Sequence, residues 1–476
     1  MALRPPIYGA PQYACAIVFL TLALGGCTNR EVVCPSLACH VPAFSSSGQA
    51  DMSNRWWTAF GDSELDCHIE HTLSGNYTLA AAWERLAAAE ALTRREASDL
   101  LPDVDGLSDA VGVFRSHGRE ESLFTMGLEA SYEVDLWGRI RSYVAAESLR
   151  ASATREDYHA TALTLSAEVA RVWFSLLEAH AQLALLDEQI ETNLTAQELQ
   201  EARFALGQIR SPDVLRQRQL VQSTREQAVV VQSRIELLEH LLAVLQGEAP
   251  QAVTYDVQAT LPDLPPLPST GLPSELLNRR PDVLRDFLAL QAADYDVASA
   301  VRDLYPRLNL SASVITAAKS PENLFHEWIA TVAGQLIGPL LDGGQRRAEV
   351  DRTNAVVRER FAEYAQTVLI AFREVEDALA RERYQLDRID LLNSQLDLAR
   401  LTSRQLREQY LIREADYLDV LSAITAEQRL QRSVLSARLE LLLIRINLYV
   451  ALAGDFESYP QDSCVDCLPG APLDDE

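Results

Sequence analysis

Two long stretches almost free of glycine and proline constrain this chain more than any other feature. Residues 345–453 contain neither residue, and only Gly207 and Pro212 interrupt residues 139–246. Interior glycine and proline are the residues that most often end helices, so both stretches predict long helices. A continuous helix over 139–206 would be about 100 Å long. Apolar residues recur along it every three or four positions, which predicts coiled-coil packing against neighbouring helices.

The two stretches belong to a unit of about 200 residues that occurs twice. Three landmarks recur in the same order at offsets of 204, 206 and 206: Leu100-Leu101-Pro102 as Leu304-Tyr305-Pro306, Trp137-Gly138-Arg139 as Gly343-Gly344-Gln345, and Asp213-Val214-Leu215 as Asp419-Val420-Leu421. Each unit is expected to run helix, β-hairpin, long helix, turn, helix.

This repeat divides the chain into six segments. We expect a signal peptide at 1–26, an N-terminal tail at 27–61, a first repeat at 62–248, a proline-rich linker at 249–273, a second repeat at 274–454 and a C-terminal tail at 455–476. The linker prolines cannot continue a helix, which is why the boundary is placed there. The hairpins are expected near 102–137 and 305–340.

Between the helices the apolar period changes to two. Apolar residues alternate with polar ones at Leu128, Ala130, Tyr132, Val134 and Leu136 against Glu129, Ser131, Glu133 and Asp135. This alternation predicts a strand with one apolar and one acidic face. We interpret the apolar face as facing lipid, and Glu129, Glu133 and Asp135 as facing the water-filled lumen of a barrel.

The second half repeats this pattern from Leu308 to Val314, with a partner strand near 328–340 and a turn at 319–322. Each strand is close to the roughly 9–11 residues that a transmembrane strand needs. Four strands cannot close, and an open edge in lipid would leave backbone groups unpaired. Other copies of the chain must therefore supply strands. No stretch after Cys27 is expected to reach the roughly 20 apolar residues of a membrane helix.

The N-terminus has the features of an exported lipoprotein. An apolar run at 14–24 is followed by Gly25, Gly26 and Cys27, which resembles the bacterial lipobox. Cys27 would then carry acyl chains, such as palmitate, as the first residue of the mature protein. Thr28 follows it rather than the Asp that favours inner-membrane retention, so the outer membrane is the expected destination. The alternative is a chance cysteine after a signal peptide.

Of the seven cysteines, Cys15 lies in the signal and Cys27 in the lipobox. Disulfides are the favoured interpretation for the pairs near the two ends, in an oxidising periplasm: Cys34, Cys39, Cys464 and Cys467. Zinc binding, with ligands such as Cys67 and neighbouring histidines, and unpaired thiols remain as alternatives.

Enzyme chemistry and nucleic-acid binding are not expected. A net charge of −26 would repel a phosphate backbone. The sequence has no glycine-rich phosphate loop, His-Glu-x-x-His or Gly-x-Ser-x-Gly motif. The densest group of ligand residues, His68-Ile69-Glu70-His71, is interpreted as a solvated helix face, with no metal site.

Several motifs together carry a family resemblance. They are Trp56-Trp57-x-x-Phe60-x-Asp62, Glu133 to Arg139, Asn278-Arg279-Arg280-Pro281-Asp282-Val283, Leu341-Asp342-Gly343-Gly344 and Ala371 to Ala378. With these residues the chain resembles the outer-membrane efflux proteins, the TolC/OprM-like channels, and among them the NodT-type lipoproteins. The resemblance runs from about Trp56 to Gly454.

The resemblance implies a mainly α fold with β: a homotrimer in which four strands per chain build a twelve-stranded transmembrane β-barrel above a periplasmic barrel of coiled-coil helices. It implies the passive exit duct of a tripartite efflux system for drugs or other small molecules. The partners would be a periplasmic adaptor (membrane fusion) protein and a proton-driven inner-membrane transporter, and no cofactor is expected. The alternative function is the exit duct of a type I protein secretion system. A coiled-coil scaffold would not explain the hairpins.

The resemblance also implies site residues at the two turns between long helices. These turns would face the adaptor: Leu206, Gly207, Gln208, Ile209, Arg210 and Ser211 in the first, and Leu411, Ile412, Arg413 and Glu414 in the second. Asp416, with Asp419 as a second candidate, would form an acidic ring at the periplasmic aperture. The alternative is that Asp416 only caps a helix. The second turn lacks the glycine expected of the family.

Overall fold

The computed structural model describes residues 43–50, 52–114, 116, 121–251, 255, 257 and 259–452. This part of the chain is mainly helical with one small sheet. The fold class predicted from the sequence is therefore confirmed at the level of the single chain.

The helices of the first half are α1 (Ser63–Gly75), α2 (Tyr77–Ser98), α3 (Arg139–Ala205) and α4 (Ser211–Leu245); a 3-10 helix at Trp56–Phe60 precedes them. In the second half, a single turn at Pro273–Leu276 precedes α5 (Pro281–Arg302), α6 (Gln345–Leu411) and α7 (Tyr417–Leu452). The long helices α3 and α6 have 67 residues each, which corresponds to about 100 Å.

The strands are β1 (Asp103–Val113), β2 (Glu121–Val134), β3 (Arg307–Ala318) and β4 (Trp328–Ile337). All three pairings are antiparallel in the order β1-β2-β3-β4, so β1 and β4 are the edges of this sheet. A 3-10 turn at Pro321–Asn323 lies between β3 and β4. The strand β2 ends at Val134, so Asp135 and Leu136 lie beyond the strand that was predicted to include them.

The helices follow the lateral order of the strands. On the sheet side, α3 packs between α2 and α5, and α6 packs on α5. On the turn side, α3 packs between α4 and α7, and α6 packs on α7. The four columns are therefore β1 with α2 and α4, β2 with α3, β3 with α5 and α7, and β4 with α6.

One stretch of α3 corrects the expectation about membrane helices. Among the described residues, α3 contains an 18-residue stretch that is long and apolar enough to cross a membrane by composition. Within the fold, 67% of that stretch is buried. Its residues contribute to the main core with Trp56, Phe60 and Trp173, so the apolar composition of α3 serves helix packing.

A buried ion pair fixes the linker between the two halves. Arg445 on α7 is 1% exposed and forms two hydrogen bonds to Glu382 on α6, at 2.9 and 2.7 Å. The same guanidinium donates to the backbone carbonyls of Pro265 and Pro266. The crossing segment is thereby held against the second pair of long helices.

Candidate functional site

The alternation predicted on β2 continues across the sheet. Glu129 and Glu133 lie opposite Ser313 and Asn309 of β3. The apolar residues of the two strands also lie opposite one another, with Leu128, Ala130, Tyr132 and Val134 against Val314, Ala312, Leu310 and Leu308. Because successive side chains point to opposite faces, one face of the sheet is polar and acidic and the other is apolar.

The apolar face is uncovered in the single chain. Leu128 is 58%, Val332 85% and Leu336 66% exposed. Water-soluble monomers rarely leave a contiguous apolar surface of this kind uncovered. The arrangement suits a sheet whose apolar face contacts lipid and whose acidic face contacts water.

The acidic face is denser than the sequence indicated, because β1 contributes to it. Asp105 lies directly opposite Glu129, while Asp103 and Asp109 lie opposite Ser131 and Thr125. The spacing of Asp103 and Asp105 was the available signal, but Leu107 interrupts the alternation on β1. Like charges directly opposite one another are destabilising in a sheet, so water at this face is needed to screen them.

Asp135 lies just beyond the end of β2 and contacts the start of α3. Its carboxylate accepts hydrogen bonds from the backbone N–H groups of Ile140 and Arg141, at 3.2 and 3.0 Å, and therefore caps α3. Burial opposes ionisation of Asp135, but these bonds and the Arg141 guanidinium outweigh it, so the pKa of Asp135 is lowered. Whether Asp135 also lines the lumen stays a prediction, because the capping contact does not test it. Glu133 remains on β2 and pairs with Arg139 at 2.9 Å.

The first turn ends α3 in a Schellman motif. Gly207 has a φ of +70°. Its N–H donates to the Phe204 carbonyl at 2.8 Å, and the N–H of Gln208 donates to the Arg203 carbonyl at 2.9 Å. Ser211 begins α4. A glycine suits this position because it has no Cβ to oppose a positive φ.

The second turn repeats this geometry without a glycine. Arg413 has a φ of +67°, and its N–H donates to the Tyr410 carbonyl at 3.1 Å. The N–H of Glu414 donates to the Gln409 carbonyl at 2.8 Å. Arg413 therefore occupies the position of Gly207, and the missing glycine has not changed the turn.

Both turns expose apolar side chains. Leu206 is 73% exposed in the first turn, and Leu411 and Ile412 are 62% and 65% exposed in the second. The polar residues Gln208, Arg210, Ser211 and Glu414 are also exposed, whereas Ile209 is half-buried. The tips thus present mixed surfaces that are open to a protein partner.

Asp416 and Asp419 lie at the start of α7 and are both exposed. The Asp416 carbonyl accepts the N–H of Asp419 at 3.1 Å, as at a helix start. Asp213, the counterpart of Asp419 in the first half, pairs with Arg216 at 3.3 Å. An exposed Asp416 at a helix start fits both interpretations, an acidic ring at the aperture and a simple helix cap. The role of Asp416 therefore stays a prediction.

Contacts between the two turns were not predicted. The Tyr417 hydroxyl donates to Gln217 of α4 at 2.5 Å, and burial raises the pKa of Tyr417. The Tyr410 hydroxyl donates to Gln200 of α3 at 3.2 Å. The guanidinium of Arg203 lies 5.0 Å from the centre of the Tyr410 ring. These contacts join the second tip to the first. No sequence motif indicates them, because the two residues of each contact lie in different halves of the chain.

The histidine cluster is not the solvated face that was expected. The Nδ1 of His68 lies 2.8 Å from the Gln246 amide nitrogen, and its ring lies 4.6 Å from that of Trp173. Burial lowers the pKa of His68 from 6.5 to about 4. His71 instead lies 3.0 Å from Glu248. Both histidines thus contact the end of the first repeat, and His71 is also partly exposed.

Several predicted residues lie outside the described part of the chain. They are Cys27, Cys34, Cys39, Cys464 and Cys467. Cys67 is half-buried on α1.

Comparison with known proteins agrees with this geometry. The family profile described as outer membrane efflux protein matches residues 68–247 and 272–454. OpmQ of Pseudomonas aeruginosa, a pyoverdine export outer membrane protein, is 30% identical over 438 residues, covering 87% of this chain and 90% of that protein. CusC of Escherichia coli K12, a cation efflux system protein, is 26% identical over 406 residues, covering 84% of this chain and 88% of that protein.

Solved structures are similar over most of their length. The outer-membrane channel OprN has a TM-score of 0.80 at 26% identity, covering 88% of this chain and 96% of that chain. A crystal structure of CusC has a TM-score of 0.78 at 26% identity, covering 87% of this chain and 97% of that chain. The chain belongs to the outer membrane efflux protein family, and it is an efflux channel of the cell outer membrane.

Proposed function

We propose that three copies of this chain form the exit duct of a tripartite efflux system. The duct receives small molecules from a proton-driven inner-membrane transporter through a periplasmic adaptor. The proposal rests on the side-by-side order of the four columns of strands and helices. In the single chain, the first and the last column each have one side without a neighbour, from the sheet to the helix turns. One flank consists of β1, α2 and α4, and the other of β4 and α6.

Two different open flanks favour a ring. An interface between unlike surfaces is heterologous, and it closes into a ring when the rotation between copies permits. The unpaired edges of β1 and β4 would then pair from copy to copy, which removes the edge that lipid cannot tolerate. The number three is taken from the family resemblance.

The helical flanks carry matching apolar stripes. On α4, Val230, Leu237 and Val244 are 59%, 65% and 54% exposed. On α6, Tyr384, Leu391 and Leu398 are 63%, 65% and 64% exposed. Both sets recur every seven residues, the spacing of a coiled-coil seam.

The stripes also lie at similar levels along the helices. Gln385 of α6 donates to the Ala437 carbonyl. The preceding residue, Ser436, donates to Glu178, and Arg234 of α4 donates to the same Glu178. Residues near 385 and 234 therefore share a level, so Tyr384 and Leu391 of one copy can meet Leu237 and Val230 of the next.

The tips are the proposed adaptor contacts, supported by the exposed Leu206, Leu411 and Ile412 beside polar residues. Gly207→Asp should weaken adaptor crosslinking and raise drug sensitivity while trimer yield stays normal. Unchanged crosslinking would refute this assignment. We propose Asp416 as the aperture residue: single-channel recordings of Asp416→Ala should show a changed closed-state conductance and cation preference, and traces identical to wild type would leave Asp416 as a helix cap.

Membrane attachment through acylated Cys27 is part of the proposal and rests on the lipobox pattern. Mass spectrometry of the mature N-terminus tests it, and an unmodified Cys27 would refute it.

Small molecules or ions are the proposed cargo because OpmQ and CusC are named for pyoverdine and cation efflux. These two relatives are named for different cargoes although both are similar to this chain. We therefore assign the choice of cargo to the inner-membrane transporter.

Complementation tests the exit-duct function. A host strain lacking this gene should accumulate a fluorescent efflux substrate, and the wild-type gene should restore export. Leu237→Glu should fail to restore export, because a carboxylate would be buried in the seam. Gln232→Glu lies about 140° around the same helix and should restore export. Equal export by the two variants would contradict the seam, and no export defect in the deletion strain would contradict the function.

A further inference from the structure

Strongly exposed leucines follow the ends of two strands. Leu136 lies two residues beyond Val134 of β2 and is 53% exposed. Leu340 lies four residues beyond Leu336 of β4 and is 102% exposed, and Leu341 beside it is 95% exposed. These three residues, the junction leucines, lie where the strands join α3 and α6.

An exposed arginine follows in the first turn of each of these helices. The side chain of Arg141 on α3 is 66% exposed, and Arg347 on α6 is exposed. Arg141 and Arg347 are 206 positions apart, which is the offset between the two repeats, so they are equivalent residues of the two halves. Arg141 donates to Asp135 through Nε and Nη2, at 3.2 and 2.8 Å, which uses only part of its guanidinium. Within the described chain, Arg347 forms no ion pair.

A rigid frame holds the junctions. The rings of Trp137 and Tyr305 stack at 5.0 Å, and the Trp137 indole N–H donates to the Pro306 carbonyl at 2.8 Å. Arg346 donates to Asp303 at 3.0 Å and thereby ties α6 to the segment before β3. The exposure of the junction leucines is therefore a property of a bonded frame rather than of a loose loop.

We propose that the junction leucines, with Arg141 and Arg347, form a collar that binds glycerophospholipids of the periplasmic leaflet of the outer membrane. The leucines contact the acyl chains, and the guanidinium groups bind the phosphates. The order along each junction matches this leaflet, since an apolar strand face is followed by leucine and then by arginine. Arginine is suited to phosphate because its planar fork donates two parallel hydrogen bonds. The proposal rests on the proposed insertion of the sheet in the outer membrane.

A second copy of the chain is the competing occupant. It could cover Leu340 and Leu341, because β4 is an edge strand. Leu136 follows β2, which has partner strands on both sides, so a neighbouring copy that pairs with an edge does not reach it. The position of Leu136 after a central strand therefore favours lipid at this level.

Depth measurements test the leucine contacts. Single cysteines at Leu136, Leu340, Val332 and Leu199 of the full-length trimer carry an environment-sensitive fluorophore. The trimer is placed in vesicles of phosphatidylcholine and phosphatidylglycerol that contain spin-labelled lipid. Shallow spin labels should quench positions 136 and 340, deeper labels should quench position 332, and neither should quench position 199 near the first tip.

Lipid retention tests the arginines. The double variant Arg141→Gln/Arg347→Gln should retain less phosphatidylglycerol in native mass spectra than Arg216→Gln/Arg400→Gln, with a loss of about fivefold per arginine. The control removes two arginines of similar exposure, each paired with a nearby aspartate, from the other end of the helices. Equal retention, or quenching at 332 without quenching at 136 and 340, would overturn the collar alone. No quenching at 332 would overturn the membrane insertion of the sheet.

Discussion

The guanidinium of Arg280 lies 2.8 Å from the carboxylate of Glu374. The same group lies 2.6 Å from Asp282 and donates to the Ala451 carbonyl at 3.2 Å. Burial opposes ionisation of Asp282, but the hydrogen bonds and charge of Arg280 outweigh it and lower the pKa of Asp282. Two motifs that are far apart in the sequence thus meet in one ion-pair cluster.

The N-terminal segment joins the same helix. The Ser45 backbone N–H and hydroxyl donate to Glu376 at 2.8 and 2.6 Å, and the Phe44 and Phe372 rings pack edge to face. The motif from Ala371 to Ala378 therefore connects the segment at Phe44 and Ser45 with the start of the second repeat.

Replacing Arg280 should destabilise the chain. Arg280→Met leaves Asp282 and Glu374 without their cation, and we expect a loss of about 2–4 kcal/mol. Arg279→Met is the matched control, because Arg279 is exposed and lies 4.0 Å from Glu275, so its loss should be below about 1 kcal/mol. Thermal unfolding followed by circular dichroism measures both. Equal midpoints would show that the cluster does not stabilise the fold.

The two turns allow a reciprocal test of backbone strain. Arg413→Gly should stabilise the second turn by about 0.5–1 kcal/mol, because a side chain opposes its positive φ. Gly207→Ala should destabilise the first turn by about 1 kcal/mol for the same reason. Chemical unfolding of the purified protein measures both changes. If both variants shift stability in the same direction, the turns do not share one geometry.

Stability should also depend on the charge of His68. The folded pKa of about 4 lies below the unfolded value of 6.5, so the unfolded state binds a proton first as pH falls. Stability should therefore decrease between pH 6.5 and 4, by up to about 3 kcal/mol. His68→Gln should flatten this decrease, whereas His326→Gln, in an exposed turn, should not. Parallel pH profiles for the wild type and His68→Gln would argue against a buried neutral histidine.

The faces of the sheet can be assigned by thiol labelling. A cysteine at Glu129 should react with a hydrophilic reagent, because it replaces a residue of the acidic face. A cysteine at Ala130 should be protected by lipid in the reconstituted protein. The comparison uses adjacent residues of one strand, so differences in local backbone order are small. Reversed labelling would mean that the faces are inverted.

Local patterns predicted the helices and the strand alternation well. Residues 139–205 form one helix because nothing in them breaks a helix, and the period of two on β2 reappears in its register with β3. The end of β2 was placed two residues too late, because Asp135 continues the alternation while its carboxylate caps α3. A capping carboxylate and a strand residue look alike until the helix start is known.

Pairings between separate elements could not be read from the sequence. Asp105 joins the acidic face only through its register with Glu129. Tyr417 meets Gln217, 200 positions away, and no local period encodes that contact. The positive φ of Arg413 was also not predictable, since arginine gives no sign of it and the glycine of the first turn has no counterpart.

In the proposed ring, α6 of one copy packs on α4 of the next. Cysteines at Val230 and Leu391 would test it, in a background where every other cysteine except Cys27 is replaced by serine. Oxidation of the double variant in membranes should give a covalent trimer on denaturing gels, while either single variant should remain monomeric. The same result is expected for the pair Leu237 and Tyr384. A double variant that stays monomeric, or that forms only a disulfide within one chain, would contradict this ring.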